Sequence, residues 1–184
     1  EQSYQLLIGN KTDDDNMYYV KKADSDIIYK INSDKISVFT DATLFSLTNP
    51  TIYATDETDF SSFEIDYKGQ TSNISLEREE DEYKSTENKT YYQYHPVLNG
   101  AQMDAQEYES FLSSIQNTAL EQATNLTAKG EPVLKITIKH FDTDRIDTIS
   151  FYETDGNILV VTGDIVRGMI GTSSFETLIE SMPI

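Results

Sequence analysis

Short apolar runs separated by polar clusters open the chain. Residues 4–9 (YQLLIG) form one run, 17–22 (MYYVKK) a second and 27–31 (IIYKI) a third. The stretches between them, NKTDDDN at 10–16 and ADSD at 23–26, are rich in turn formers. Strands punctuated in this way predict an antiparallel meander. A helix is expected next. Ser33 can cap it by accepting a hydrogen bond from a free backbone N–H, and Ile36, Phe39, Thr43 and Leu47 recur at helical spacing until Asn49-Pro50 stops the run.

The order then recurs. Phe63, Ile65 and Tyr67 alternate with polar residues up to Gly69, and Ile74 and Leu76 alternate in residues 73–78. Residues 83–85 are expected to open a third strand beyond the acidic turn 79–82. Residues 91–98 read as extended, because Pro96 disfavours helix at His95. Asp104 opens the clearest helix, with Glu107 in capping-box position and a stripe of Tyr108, Phe111, Leu112, Ile115 and Ala119. Further on, 133–139 and 147–153 read as strands. Asp155-Gly156 is a strong hairpin signal, and 157–162 is the returning strand. Ser173 and Glu176 form a second capping-box pattern ahead of Phe175, Leu178, Ile179 and Met182, and Pro183 ends that helix.

Residues 73–76 (NISL) align with 148–151 (TISF), and the stripe 108/111/112/115 aligns with 175/178/179/182. The pattern predicts an α+β fold with an internal repeat. Antiparallel meanders are each followed by a helix, as βββα-like units with the helices packed on sheet faces. Residues 1–55, 56–130 and 131–184 would be the three units, assembled as one compact body.

Composition narrows the chemistry. Cys is absent, which excludes a disulfide scaffold, a thiol nucleophile and a thiolate-bound metal, and two His leave little for a histidine metal site. No metal or other cofactor is expected. The net charge is −18, and the stretch 56–130 alone sets fifteen acidic residues against five basic ones. Such a surface repels phosphate backbones, so nucleic acid is excluded as a partner, and direct docking on anionic lipid is disfavoured. No apolar run approaches the ~18 residues that a membrane span requires.

The candidate sites are few. Asp13, Asp14, Asp15 and Asn16 lack the glycine and final glutamate of a calcium loop, and so do Asp142, Asp144 and Asp147; neither set is read as a metal site. Residues 79–82 (EEDE) are too concentrated in charge to be buried together, so they read as a solvated turn. His140 ends a strand and reads as a strand-edge residue, and no G-x-S-x-G accompanies either histidine. No catalytic residue emerges. Tyr91, Tyr92, Tyr94 and His95 form the densest polar-aromatic cluster. Tyrosine buries its ring and keeps its hydroxyl wet, so this is the candidate partner-binding patch. Asn10, Asn73, Asn88 and Asn125 each begin an N-x-[ST] sequon.

The run 4–9 followed by Asn10-Lys11-Thr12, the strand MYYV at 17–20 and the strand at 27–31 resemble the bacterial family called domain of unknown function 4340. The strand at 60–67, the helix at Asp104 and the strand at 133–138 follow the same order. The resemblance implies a cell-envelope protein, extracytoplasmic and held by an N-terminal anchor or lipoprotein signal in a segment preceding this chain. It implies an ABC-type transporter component as partner, and it carries no catalytic motif. Tyrosines stand where the family often has Trp before the central helix. The leading expectation is therefore a non-enzymatic accessory or binding module. An envelope-polymer hydrolase using a carboxylate pair, and a structural spacer, are the alternatives.

Overall fold

The computed structural model describes residues 5–14, 16–40, 50–53, 55, 59–88 and 90–184. The chain divides into two compact units, Glu1–Thr48 and Asn49–Ile184.

The smaller unit holds strands β1 (Leu6–Lys11), β2 (Met17–Lys22) and β3 (Ile28–Asn32) in that order, followed by α1 (Ser33–Thr40). The aspartate-rich turn is an internal device of the first hairpin. Thr12 Oγ1 donates to Asp14 Oδ1 at 2.5 Å and accepts from the Met17 N–H at 3.2 Å. Val20 and Ile36 are buried, whereas Leu6, Leu7, Ile28 and Phe39 are exposed. Phe39 was expected beside Ile36 on the buried stripe of α1. It is 74% exposed. Asp15, Thr43 and Leu47 lie outside the described residues.

The larger unit is built on an eight-stranded, entirely antiparallel sheet of order β11-β10-β9-β8-β4-β5-β6-β7. Its strands are β4 (Phe60–Tyr67), β5 (Gln70–Glu80), β6 (Tyr92–Leu98), β7 (Ala101–Gln102), β8 (Leu134–His140), β9 (Ile146–Glu153), β10 (Asn157–Thr162) and β11 (Ile165–Gly171). Two helices complete it, α2 (Ala105–Asn117) after β7 and α3 (Thr172–Glu180) after β11.

The expectation of α+β architecture from repeated βββα units is overturned. Antiparallel sheet dominates the chain, and the segments on either side of residue 130 share one continuous sheet because β4 pairs with β8, Ile65 opposite Ile136. Four strands, not three, precede each of α2 and α3. Residues 83–85 are no strand: residues 82–84 form a turn. The reason is physical. Alternating Ile, Phe and Val residues can bury one face of a strand at any sheet position, so the local pattern does not say where one sheet ends.

Most of the core lies on one face of this sheet, with Leu159 and Val161 of β10 buried on the other. The register sets Phe63, Ile65, Ile74, Leu134, Ile136, Ile138, Ile149 and Phe151 on the first of these faces, all nearly inaccessible. Phe111 of α2 meets Phe63 edge-on, ring centroids 5.2 Å apart, and Phe175 of α3 lies 5.6 Å from Phe151. Asp104 caps α2 by accepting from the N–H groups of Gln106 and Glu107. The capping box expected at Ser173 does not form, because Ser173 lies inside α3 and the cap position is Gly171. Turns fix the hairpins: Lys68-Gly69 and Asn99-Gly100 both take positive φ, as a two-residue turn between twisted strands requires.

Candidate functional site

One end of the large sheet gathers a cluster of polar and aromatic side chains. The start of β4, the end of β5, the start of β6 and the segment joining β8 to β9 meet there. Strand parity sets Ile74, Leu76 and Arg78 on the same face of β5, so Arg78 sits where a core residue would be expected. A guanidinium in that position must find partners. It pairs with Asp59 at 3.1 Å and Asp142 at 2.6 Å, and packs against the rings of Tyr92 and Phe141, each 4.4 Å from centroid to guanidinium carbon. Tyr94 donates its hydroxyl to Asp59 Oδ1 at 2.7 Å. Burial, with Asp59 as acceptor and neighbouring charge, pushes the Tyr94 phenol up to about 12. Tyr92 and Tyr94 are thus held by one cation and one carboxylate.

A second network adjoins it. Asp147 at the start of β9 accepts from Tyr53 Oη at 2.6 Å and from Arg145 Nε at 3.0 Å, with Arg145 Nη2 at 2.8 Å and His140 Nε2 at 3.1 Å. Burial pushes this carboxyl up, but the hydrogen bonds from Arg145, Tyr53 and His140 outweigh it, and the group lies below its ordinary range. Desolvation and the bond to Asp147 raise the Tyr53 phenol far above its ordinary value. A carboxylate that already accepts from these donors is a clamp between β8, β9 and the segment before β4, and is poorly placed to serve as a base.

His140 is not the strand-edge residue expected. It is buried in β8, which lies inside the sheet between β4 and β9, with its ring 5.3 Å from Phe60. Asp142 and Asp147, grouped by their spacing with Asp144, serve different partners, Arg78 and the Tyr53–Arg145 network. The acidic run 79–82 also divides: Asp81 is buried and accepts from Tyr83 and Lys84 N–H groups, while Glu79, Glu80 and Glu82 are exposed.

The structure divides the tyrosine cluster by strand parity. Tyr92 and Tyr94 point to the face that carries Arg78, whereas His95 points to the opposite face, 3.7 Å from Glu79. Tyr91 and Tyr92 are exposed and Tyr94 is half-buried. Asp59, Arg78 and Phe141 were not singled out from the sequence. The signal for Arg78 was there, a charge continuing the inward series Ile74, Leu76. Asp59 and Phe141 carried none, since only the β4–β8 pairing brings them to Arg78.

The backbone of β6 adds a feature. The Asp81 N–H donates to the Tyr91 carbonyl at 2.8 Å and the Asn99 N–H to the Asn73 carbonyl at 2.8 Å. Antiparallel ladder bonds recur at every second pair, so Gln93 and His95 turn their backbone groups to β5, while Tyr92, Tyr94 and Pro96 turn theirs outward. On that outer side β7 pairs only with Val97 and Leu98, and Met103 N–H reaches the Pro96 carbonyl at 2.9 Å. Among the described residues no strand pairs with the outer edge of Tyr92 to Tyr94.

The family model described as "Domain of unknown function (DUF4340)" matches residues 1–135. No curated protein and no solved structure matches the chain.

Proposed function

The chain belongs to this family, the domain of unknown function 4340, and on that premise we propose that it is a non-enzymatic, extracytoplasmic accessory or binding module of a bacterial envelope protein, with an ABC-type transporter component as its partner. The observation that carries the binding role is the end of β6. There Tyr92 is exposed at a strand edge while Arg78 and Asp59 hold it and Tyr94 in place. Rigid aromatic side chains with a polar tip bind at low entropic cost, which suits recognition. The charged groups beside them are engaged with one another and are not set apart as an acid and a base. The extracytoplasmic setting and the transporter partner rest on the family resemblance.

In-cell photo-crosslinking tests this reading. A photoreactive residue replaces Tyr92 in one variant and Ile165, exposed on β11, in another. A discrete adduct at position 92 and none at 165 is the expected result. Absent or equal adducts at the two positions overturn it, as does release of soluble fragments from envelope polymer by the purified chain.

A further inference from the structure

We infer that the outer edge of β6 takes up an extended, basic segment of a partner protein as an added strand. The inference rests on the binding role proposed above and specifies its partner.

Tyr92 and Tyr94 turn their backbone N–H and C=O groups outward, and β7 does not reach them. Two local causes stop β7. Pro96 has no N–H to return the bond that Met103 makes to its carbonyl, and Asp104 turns the chain into α2. The ladder therefore ends while β6 continues. Beside this point an open hollow of ≈ 470 Å³ is lined by Tyr94, His95, Pro96, Gln102, Met103 and Asp104. An added strand running on in line with β7 would meet the hydrogen-bonding groups of Tyr94 and Tyr92 in turn and set a side chain into the hollow. Main-chain bonds of this kind supply affinity in strand addition, and alternate side chains supply specificity.

Charge selects the occupant. On β5, the strand behind this edge, Glu77 and Glu79 lie on the His95 face and Glu80 lies on the Tyr92 face. Among the described residues, the cations of β5 and the turn after it are engaged, Arg78 with Asp59 and Asp142, and Lys84 with Asp81. An incoming strand thus has carboxylates one strand beyond β6 on both faces, and the long, charged side chains of lysine or arginine at its alternating positions are complementary to them. A second copy of this chain would bring two of these acidic β5–β6 ends together, each in a chain of net charge −18, and such like charge repels. The edge is therefore suited to a basic segment and unsuited to self-pairing.

The probe is a short synthetic peptide alternating lysine and valine. Comparison peptides replace lysine by glutamate, cluster the lysines at one end, or N-methylate the amides of one edge. Amide hydrogen exchange at Tyr92 and Tyr94 and a binding titration are the readouts. The alternating lysine peptide should protect both amides, bind at least about tenfold more tightly than each comparison peptide, a difference of about 1.4 kcal/mol, and weaken as salt rises. Tyr94→Pro, which removes one outward N–H and no bond to β5, should weaken it by about tenfold as well. The methylated peptide leaves the protein intact, so the test does not depend on that variant folding. Equal binding by the methylated or glutamate peptide overturns the inference. So does protection of these amides by concentration-dependent dimerisation without peptide. A crosslink at position 92 with no lysine-peptide binding refutes strand addition and leaves the binding-module reading standing; peptide binding with no crosslink does the reverse.

Discussion

The two edges of the large sheet are treated differently. At the β11 edge the chain returns after α2 and makes one isolated bridge, at Met169: Glu121 and Gln122 N–H groups donate to the Met169 carbonyl, and Met169 N–H donates to the Gln122 carbonyl at 2.9 Å. The same returning segment carries Glu121 to the start of α3. There its carboxylate accepts from Ser174 Oγ at 2.5 Å and from Gly171 N–H. At the opposite edge Pro96 and the onset of α2 end β7 after two residues, and the outer groups of Tyr92 and Tyr94 are left without a strand among the described residues. The composition of the edge strand does not account for the difference. β11 (IVRGMIG) is the more apolar of the two, and β6 (YQYHPVL) carries the tyrosines. The route of the following chain decides where an edge is covered, and an uncovered stretch of edge is a surface for pairing.

The helices next to these edges differ in the same sense, and the largest expected effects come from them. Phe111 of α2 is fully buried against Phe63, whereas Phe175 of α3 is 8% exposed. Phe111→Ala should cost about 3–5 kcal/mol in chemical denaturation, the range for removing a buried ring, and Phe175→Ala measurably less. Equal losses would mean that both halves lean on their helices alike.

The clamp at Asp147 comes next. Its folded-state carboxyl lies below the unfolded value, so its contribution is complete above the unfolded pKa, about 3.9, and fades as pH falls through the folded one. Asp147→Asn should cost about 1–3 kcal/mol near neutrality, the penalty for leaving buried partners unmatched, and flatten the acid limb of the stability profile. An unchanged acid limb would show that other carboxylates set it.

The caps follow. α2 begins with its own aspartate, so Asp104→Ala should cost about 1 kcal/mol, read by thermal melting. α3 has no side-chain cap bond from its cap residue, Gly171, and depends on Glu121 from the returning segment. Glu121→Gln should cost about 0.3–1 kcal/mol, the scale of a charge at a helix terminus, and should raise amide exchange at Met169. If Asp104→Ala loosens Met169 as much as Glu121→Gln does, the remote cap is not what ties the β11 edge.

The smallest effect belongs to the outer face of β6. His95→Gln removes an exposed pairing with Glu79 at 3.7 Å, and stability should change by less than about 0.5 kcal/mol. A larger loss would mean that the open edge carries stability.

Several local features were legible along the chain. Ile74 and Leu76 alternate and sit in β5, Asp155-Gly156 joins β9 to β10, and Asp104 caps the helix holding Tyr108, Phe111 and Ile115. Each depends on neighbours within a few residues, where side-chain parity, a turn dihedral or a free N–H decides the outcome. β11 was not legible. Its two glycines and its arginine break any alternation, and it is a strand because β10 offers it a ladder. Of the tyrosine cluster, the sequence showed the density of aromatic residues but not its division between two faces.

The remainder was decided by pairings distant in the chain. Strand order cannot be read from alternation, because any strand with one apolar face fits any sheet position of the same parity. The contact of β4 with β8 merged two expected units into one sheet and brought Asp59 and Phe141 to Arg78. Glu121 became the cap of α3 only because the chain returns along β11. Residue chemistry and spacing act over a turn or a strand. Which stretch of an edge is bridged, which carboxylate is spent on a partner and which aromatic ring remains at an open edge follow from how the sheet is assembled.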